Sequence, residues 1–198
     1  MSRYARLFGA LVLAVLCLQC QPHAKSTQYP GRVLPRGFPG IELGMTPEQA
    51  GGAFLLREDV DPIVSLLGKY GAPDAALKEG RSNESLRKRF FHVEPSKALL
   101  PEGVGSGDAR STHGVLYQLG LHYPESYVKE NGWRGVTVPY LAQLGSPNTD
   151  DGFSYKWEDQ RTRIEVALSG SIVNVFYTDR ALEKDLTRAE ANSVGRKP

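Results

Sequence analysis

The groups in this 198-residue chain that could do chemistry are few, and their spacing narrows them further. Both cysteines, Cys17 and Cys20, close an apolar run in "VLAVLCLQCQPHAK", and no cysteine follows. The four histidines, His23, His92, His113 and His122, stand at neither H-x₃-H nor HExxH spacing. With no thiol pair beyond residue 20, nothing in the sequence supports a metal site. "GVGSGD" (103–108) lacks the order of a nucleophile elbow and the Gly-Lys-Ser/Thr of a phosphate loop. No cofactor is expected. His92 and His122 alternate out of phase with their apolar neighbours, which places them on the polar face of strands.

Three further groupings invite a reading. "RSNESLRKRFF" sets Arg81, Arg87, Lys88 and Arg89 beside Phe90 and Phe91, a mixture that can hold phosphate or nucleic acid but that a solvated strand also produces. Glu158 and Asp159 are paired carboxylates at a turn, where acids are ordinary residues. Tyr127, Trp133 and Tyr140 surround "YVKENGWRGVTVPY", read as a loop. Aromatics so placed would form a partner-binding patch or a ligand wall, or else close the edge of a core.

The N-terminus explains the cysteines. Arg3 and Arg6 precede an uncharged apolar run, Leu7–Leu18, too short for a spanning helix of roughly 20 residues. A basic start, a short apolar core and a Cys after Leu18-Gln19 resemble a bacterial lipoprotein signal, although Gln19 stands where that signal prefers Gly, Ala or Ser. The resemblance implies cleavage before Cys20 and lipid attachment there, with residues 1–19 removed as signal peptide. Losing Arg3 and Arg6 takes the 24 basic residues to 22, equal to the 22 acidic ones. A neutral chain gives no electrostatic case for nucleic acid. Gln21 after the lipidated Cys implies, by the lipoprotein sorting rule, the outer membrane, with the chain facing the periplasm.

Residues 20–39 are Pro/Gly-rich and aperiodic, as in a tether, and about 18 flexible residues would span about 25 Å. Residues 40–192 are then one α+β domain, short helices on an antiparallel sheet, and 193–198 a polar tail. Thr46-Pro47-Glu48-Gln49 and Asp61-Pro62 start helices, the former weakened by Gly51 and Gly52 at roughly 1 kcal/mol each. Alternation predicts strands with Val115, Tyr117, Leu119, Leu121 and Tyr123 on one face, then Phe153, Tyr155 and Trp157, then Ile164, Val166 and Leu168, then Val173, Val175 and Tyr177. Short turns join the last three as a meander, and a helix follows near 181–191. Residues 95–113 read as a long irregular loop.

"LLGKYGAPD" (66–74) and "YLAQLGSPN" (140–148) match as helix ends stopped by Gly and Pro. At the same offset "RKRFFHV" (87–93) falls on "RTRIEVA" (161–167). These matches define two candidate α-β-β-β repeats, 40–127 and 133–180. "GIELGMTPEQA" (40–50), the Gly71-Ala72-Pro73 stop and the meander resemble the SmpA/OmlA (BamE) family of outer-membrane lipoproteins. Duplicated α–β units in one sheet also resemble the β-lactamase inhibitor protein architecture. The SmpA/OmlA likeness implies a scaffold that binds a protein partner in envelope assembly. The expected role is therefore non-catalytic, with Tyr127, Trp133 and Tyr140 as candidate partner-binding residues. The competing expectation is a small-ligand binder or envelope enzyme using 95–113 and Trp133.

Overall fold

A computed structural model of the chain describes residues 31–51, 55–93 and 100–195. It begins with a small hairpin, β1 (Gly37–Phe38) and β2 (Ile41–Glu42), and a short helix, α1 (Pro47–Ala50). Thr46 caps α1 reciprocally: its hydroxyl accepts from Gln49 N (3.2 Å), and its own N–H donates to Gln49 Oε1 (2.8 Å). β3 (Leu56–Asp59) leads to α2 (Pro62–Lys69), which Asp61 caps by accepting from Ile63 N. Gly71, at φ 76°, supplies the left-handed turn that ends α2. Pro73 then opens a second helix, α3 (Pro73–Ser85), of largely polar composition.

The remaining strands are β4 (Arg89–Val93), β5 (Ser106–Thr112) and β6 (Val115–Tyr123). Helix α4 (Glu125–Leu144) follows, then β7 (Thr149–Asp150), β8 (Ser154–Glu158), β9 (Thr162–Ser169) and β10 (Ile172–Asp179). α5 (Arg180–Gly195) closes the described chain. The fold is α+β. Eight strands form one antiparallel sheet in the order β3-β4-β5-β6-β10-β9-β8-β7, so two four-stranded meanders meet at β6 and β10. Gly71 and Gly145 both end helices at positive φ, but the strands matched at the same offset do not occupy equivalent places in the sheet. Residues 89–93 lie second from one sheet edge, whereas 162–169 lie third from the other.

One face of the sheet carries the main core. Leu119, Leu121 and Tyr123 of β6 stand opposite Tyr177, Val175 and Val173 of β10, with Ile164, Val166, Trp157, Phe91 and Val93 beside them. Val136, Tyr140 and Leu144 of α4 cover this face. The other face holds a smaller cluster of Leu86, Tyr117 and Leu186, which seats α5.

Four expectations change. Val115 and Tyr117 do not share the face of Leu119: the register shifts between Arg110 and Ser111, and the bulge turns Leu116 into the core and Tyr117 to the opposite side. Phe153 is 68% exposed and lies outside β8. Within 95–113, residues 106–112 are a central strand, not a loop. Its core side bears Gly107, Ala109 and Ser111, small residues that give no apolar alternation yet leave room for Leu119 and Leu121 across the ladder. Finally, residues 32–39 are not tether. Leu34 and Phe38 are in the core, and Leu34 N donates to Asp159 Oδ2 (2.7 Å) at the β8–β9 turn.

Arg36 completes that strap by bonding Asp179 (2.7 Å) and the Leu43 carbonyl (3.1 Å). Burial opposes the charge of Asp179, but the Arg36 guanidinium and the amides of Ala181 and Leu182 hold its carboxyl below the usual range. Phe38→Ala should therefore cost about 3 kcal/mol or more in urea-unfolding free energy, as a core truncation does. A cost below about 0.5 kcal/mol, the level of ordinary surface changes, would return this segment to the tether.

Candidate functional site

The three aromatics around residues 127–140 belong to packing. Their segment is helix, not loop: Gly132 (φ 70°, ψ 173°) only kinks α4, and Pro139 lies within it. Gly132 does interrupt the helix, whereas Gly135 and Pro139 lie within its second part, where Val136, Tyr140 and Leu144 are buried. Tyr140 is buried, and its hydroxyl meets that of Tyr123 at 3.0 Å. Trp133 lies against Tyr155 (5.5 Å between rings), which meets Trp157 edge-on (6.0 Å). Tyr127 packs on Tyr123, and Gly103 lies so close to the Tyr127 ring that a Cβ would overlap it. Burial pushes the phenols of Tyr123, Tyr140 and Tyr177 up, so all three stay protonated. Cys17, Cys20 and His23 lie outside the described residues.

The cations of 87–89 are also accounted for. Lys88 pairs with Glu190 of α5, and Arg89 grips Glu58 of β3 with two nitrogens. Arg87 occupies the turn after α3 at φ 48°. Asp159 is a turn residue in full: Oδ1 accepts from Arg161 N and Thr162 N, while Oδ2 holds Leu34. His113 sits with Gly114 in a two-residue hairpin turn where both have positive φ.

His92 and His122 lie on the polar face, as their phase predicts, and His122 is the centre of a network. Its Nε2 is 2.6 Å from Asp108 Oδ2 on β5, and its Nδ1 is 2.7 Å from Asn174 Oδ1 on β10. Gly120 makes room for this: a Cβ there would come within 2.7 Å of the Asp108 carboxylate. Both partners present oxygens to the ring, an arrangement that the imidazolium satisfies by donating from both nitrogens. Desolvation favours the neutral ring, but bonds to Asp108 and Asn174 and the Asp108 charge outweigh it and raise the His122 pKa above 6.5. With both nitrogens engaged, His122 has no lone pair for a substrate proton. Among the described residues, no group of three or more His, Cys, Asp or Glu is placed to hold a metal ion.

What the structure does leave open is the α2–α3 hairpin. Ten large apolar side chains are exposed among the described residues, and Leu55, Val60, Ile63, Leu66, Tyr70 and Leu77 all belong to this part of the chain. Ile63, Leu66 and Tyr70 share one helical face by spacing, while Val64 and Leu67 turn inward and are half-buried. α2 buries no residue fully, and α3 buries only Asn83. Beneath the hairpin, against β3–β5, lies a cavity of about 230 Å³ bordered by Asn83, Phe90, Arg110 and Tyr117. Asn83 Oδ1 and Arg110 Nε are buried there without hydrogen-bond partners, each at a cost of about 1–3 kcal/mol. The spacing of 63, 66 and 70 was available in the sequence as a signal; its outward direction was not.

Because the His122 pKa is raised on folding, its contribution to stability is fully present below 6.5 and is lost as pH rises through the folded value. An NMR titration should give His122 a midpoint above 6.5 that falls in Asp108→Asn. The stability advantage over His122→Gln should shrink from mildly acid to alkaline pH. A midpoint below 6.5 would show that the ring is neutral and donates only once.

No family model matches this chain, and neither the curated proteins nor the solved structures searched yield a match.

Proposed function

We propose that this protein is a lipid-anchored envelope protein that binds a protein partner, without catalysis, in envelope assembly or maintenance. Cys20 carries the lipid, and the domain faces the periplasm from a membrane, the outer membrane by the sorting rule. The lipoprotein-like signal and the SmpA/OmlA-like motifs support the address and setting. The outward apolar face of α2 and its C-cap carries the binding part: Ile63, Leu66 and the capping Tyr70 are 46%, 55% and 74% exposed. An apolar row of this kind on a helix is the form in which one protein presents itself to another.

Charge selects the partner's chemistry. Residues 55–85 hold six acids, Glu58, Asp59, Asp61, Asp74, Glu79 and Glu84, against four bases, Arg57, Lys69, Lys78 and Arg81. An acidic border disfavours an anionic membrane surface and suits an apolar protein face edged with lysine or arginine. No helix among the described residues is long and apolar enough to cross a membrane.

A photo-crosslinking amino acid placed at Leu66, in intact cells, tests both parts together. A discrete protein adduct is expected from Leu66 and not from Phe153, which is equally apolar and more exposed but lies by β8. Ile63→Asp should abolish the adduct, and Cys20→Ala should release the chain from membranes and reduce adduct yield. Equal labelling from Leu66 and Phe153, or none, would remove the partner reading. Full membrane retention of Cys20→Ala would remove the anchor.

A further inference from the structure

We infer that the cavity beneath α2 and α3 is a binding site for an amino-acid unit bearing a free carboxyl group. The inference concerns the inner side of the hairpin and does not rest on docking at its outer face. Two side chains carry it. Arg110, on β5, is half-buried over the Phe90 ring at 5.8 Å and has no carboxylate partner among the described residues. Its Nε is buried and unbonded. Asn83, on α3, is 9% exposed and bonds through Nδ2 to Asp61 Oδ2 at 3.4 Å. A carboxylate can only accept, so this contact fixes the amide with Oδ1 turned away from Asp61, and Oδ1 too has no partner.

A guanidinium Nε lacking an acceptor and an amide oxygen lacking a donor, bordering the same cavity, define a complementary ligand. It must bring an anionic acceptor and an N–H donor into one cavity of about 230 Å³. A free-carboxyl amino-acid unit does this, with its carboxylate on Arg110 and its α-nitrogen on Asn83. The remaining charges sharpen the choice. Lys88 and Arg89 are already paired with Glu190 and Glu58, whereas Asp59, Asp61 and Glu79 border the cavity with no lysine or arginine partner among the described residues. Those acids repel a bare anion and attract the N–H end of an amino acid. Val60, Ile63, Val64 and Phe90 add an apolar wall for the side chain. At about 230 Å³ the cavity is below the size of drug-like sites and fits a single residue.

The same chemistry comes from two sources, a free amino acid or the C-terminal residue of a polypeptide. Calorimetric titration of the purified chain with L-leucine, with N-acetyl-glycyl-leucine and with its carboxamide separates them. Saturable binding of leucine or of the free-carboxyl peptide is expected, at least about 10-fold stronger than the carboxamide. Leucine alone points to the free amino acid, and the acetylated peptide to a chain terminus. Arg110→Gln should lose at least about 10-fold, with Arg110→Lys intermediate. Circular dichroism checks that the variants fold; if Arg110→Gln does not, the carboxamide comparison on the unaltered chain decides. Binding of neither probe, equal binding of the carboxamide, or acetate as strong as leucine would overturn the assignment. Because Arg110 and Asn83 are absent from the outer face, loss here leaves Leu66 crosslinking unchanged.

Discussion

The antiparallel pairing of β6 with β10 is the constraint on which the rest of this structure depends. It runs from Gln118–Thr178 to Tyr123–Val173 and is the seam between the two meanders. On the core side, Leu119, Leu121, Val173 and Val175 are fully buried, each worth on the order of 1.5–3 kcal/mol relative to exposure. On the polar side, Gln118 Nε2 donates to Thr178 Oγ1 (3.3 Å), and the His122 ring reaches Asn174 across the seam and Asp108 on the next strand. Apolar burial and a charge-assisted network thus act on opposite faces of the same strand pair.

The cover over this sheet is unequal, and that inequality is where function enters. α4 and the 32–45 strap close the core face, while α5 is held to the other by Leu186 on Tyr117 and by ion pairs from Arg163 to Glu183 and Lys88 to Glu190. The α2–α3 hairpin receives no comparable seat. Its inner side meets a cavity with two unbonded polar atoms, and its outer side presents Ile63, Leu66 and Tyr70 to solvent. An element with few buried apolar contacts contributes little to global stability, and such elements are the ones that binding can order. The structure thus joins a stiff seam to a loosely seated hairpin at one end, which is the surface the proposed partner would use.

Where side chains report their own burial, the fold was legible. Period-two alternation at 164–168 and 173–177, the capping box at Thr46 and the glycine stops at 71 and 145 describe local physics, and local physics placed them. β5 was hidden because its core side is Gly107, Ala109 and Ser111: the space belongs to Leu119 and Leu121, which no local pattern of 106–112 can show. The bulge at Tyr117 was hidden for a related reason, since it depends on the partner strand's register. In α4, tertiary burial overrode Pro139 but not Gly132, which kinks the helix, and packing of Tyr127 and Tyr140 against the core replaced their reading as a surface patch. The cavity at Asn83 and Arg110 joins residues from α3 and β5 that only the sheet order brings together.

Residue-resolved hydrogen exchange on the purified domain tests most directly whether a rigid seam carries a marginal hairpin. Amides of β6 and β10 should exchange slowest, near the global unfolding limit, while those of α2 and α3 should exchange through local opening and be faster than those of α4. Protection of α2 and α3 equal to that of β6 and β10 in the isolated protein would contradict the account, because the hairpin would then be part of the scaffold.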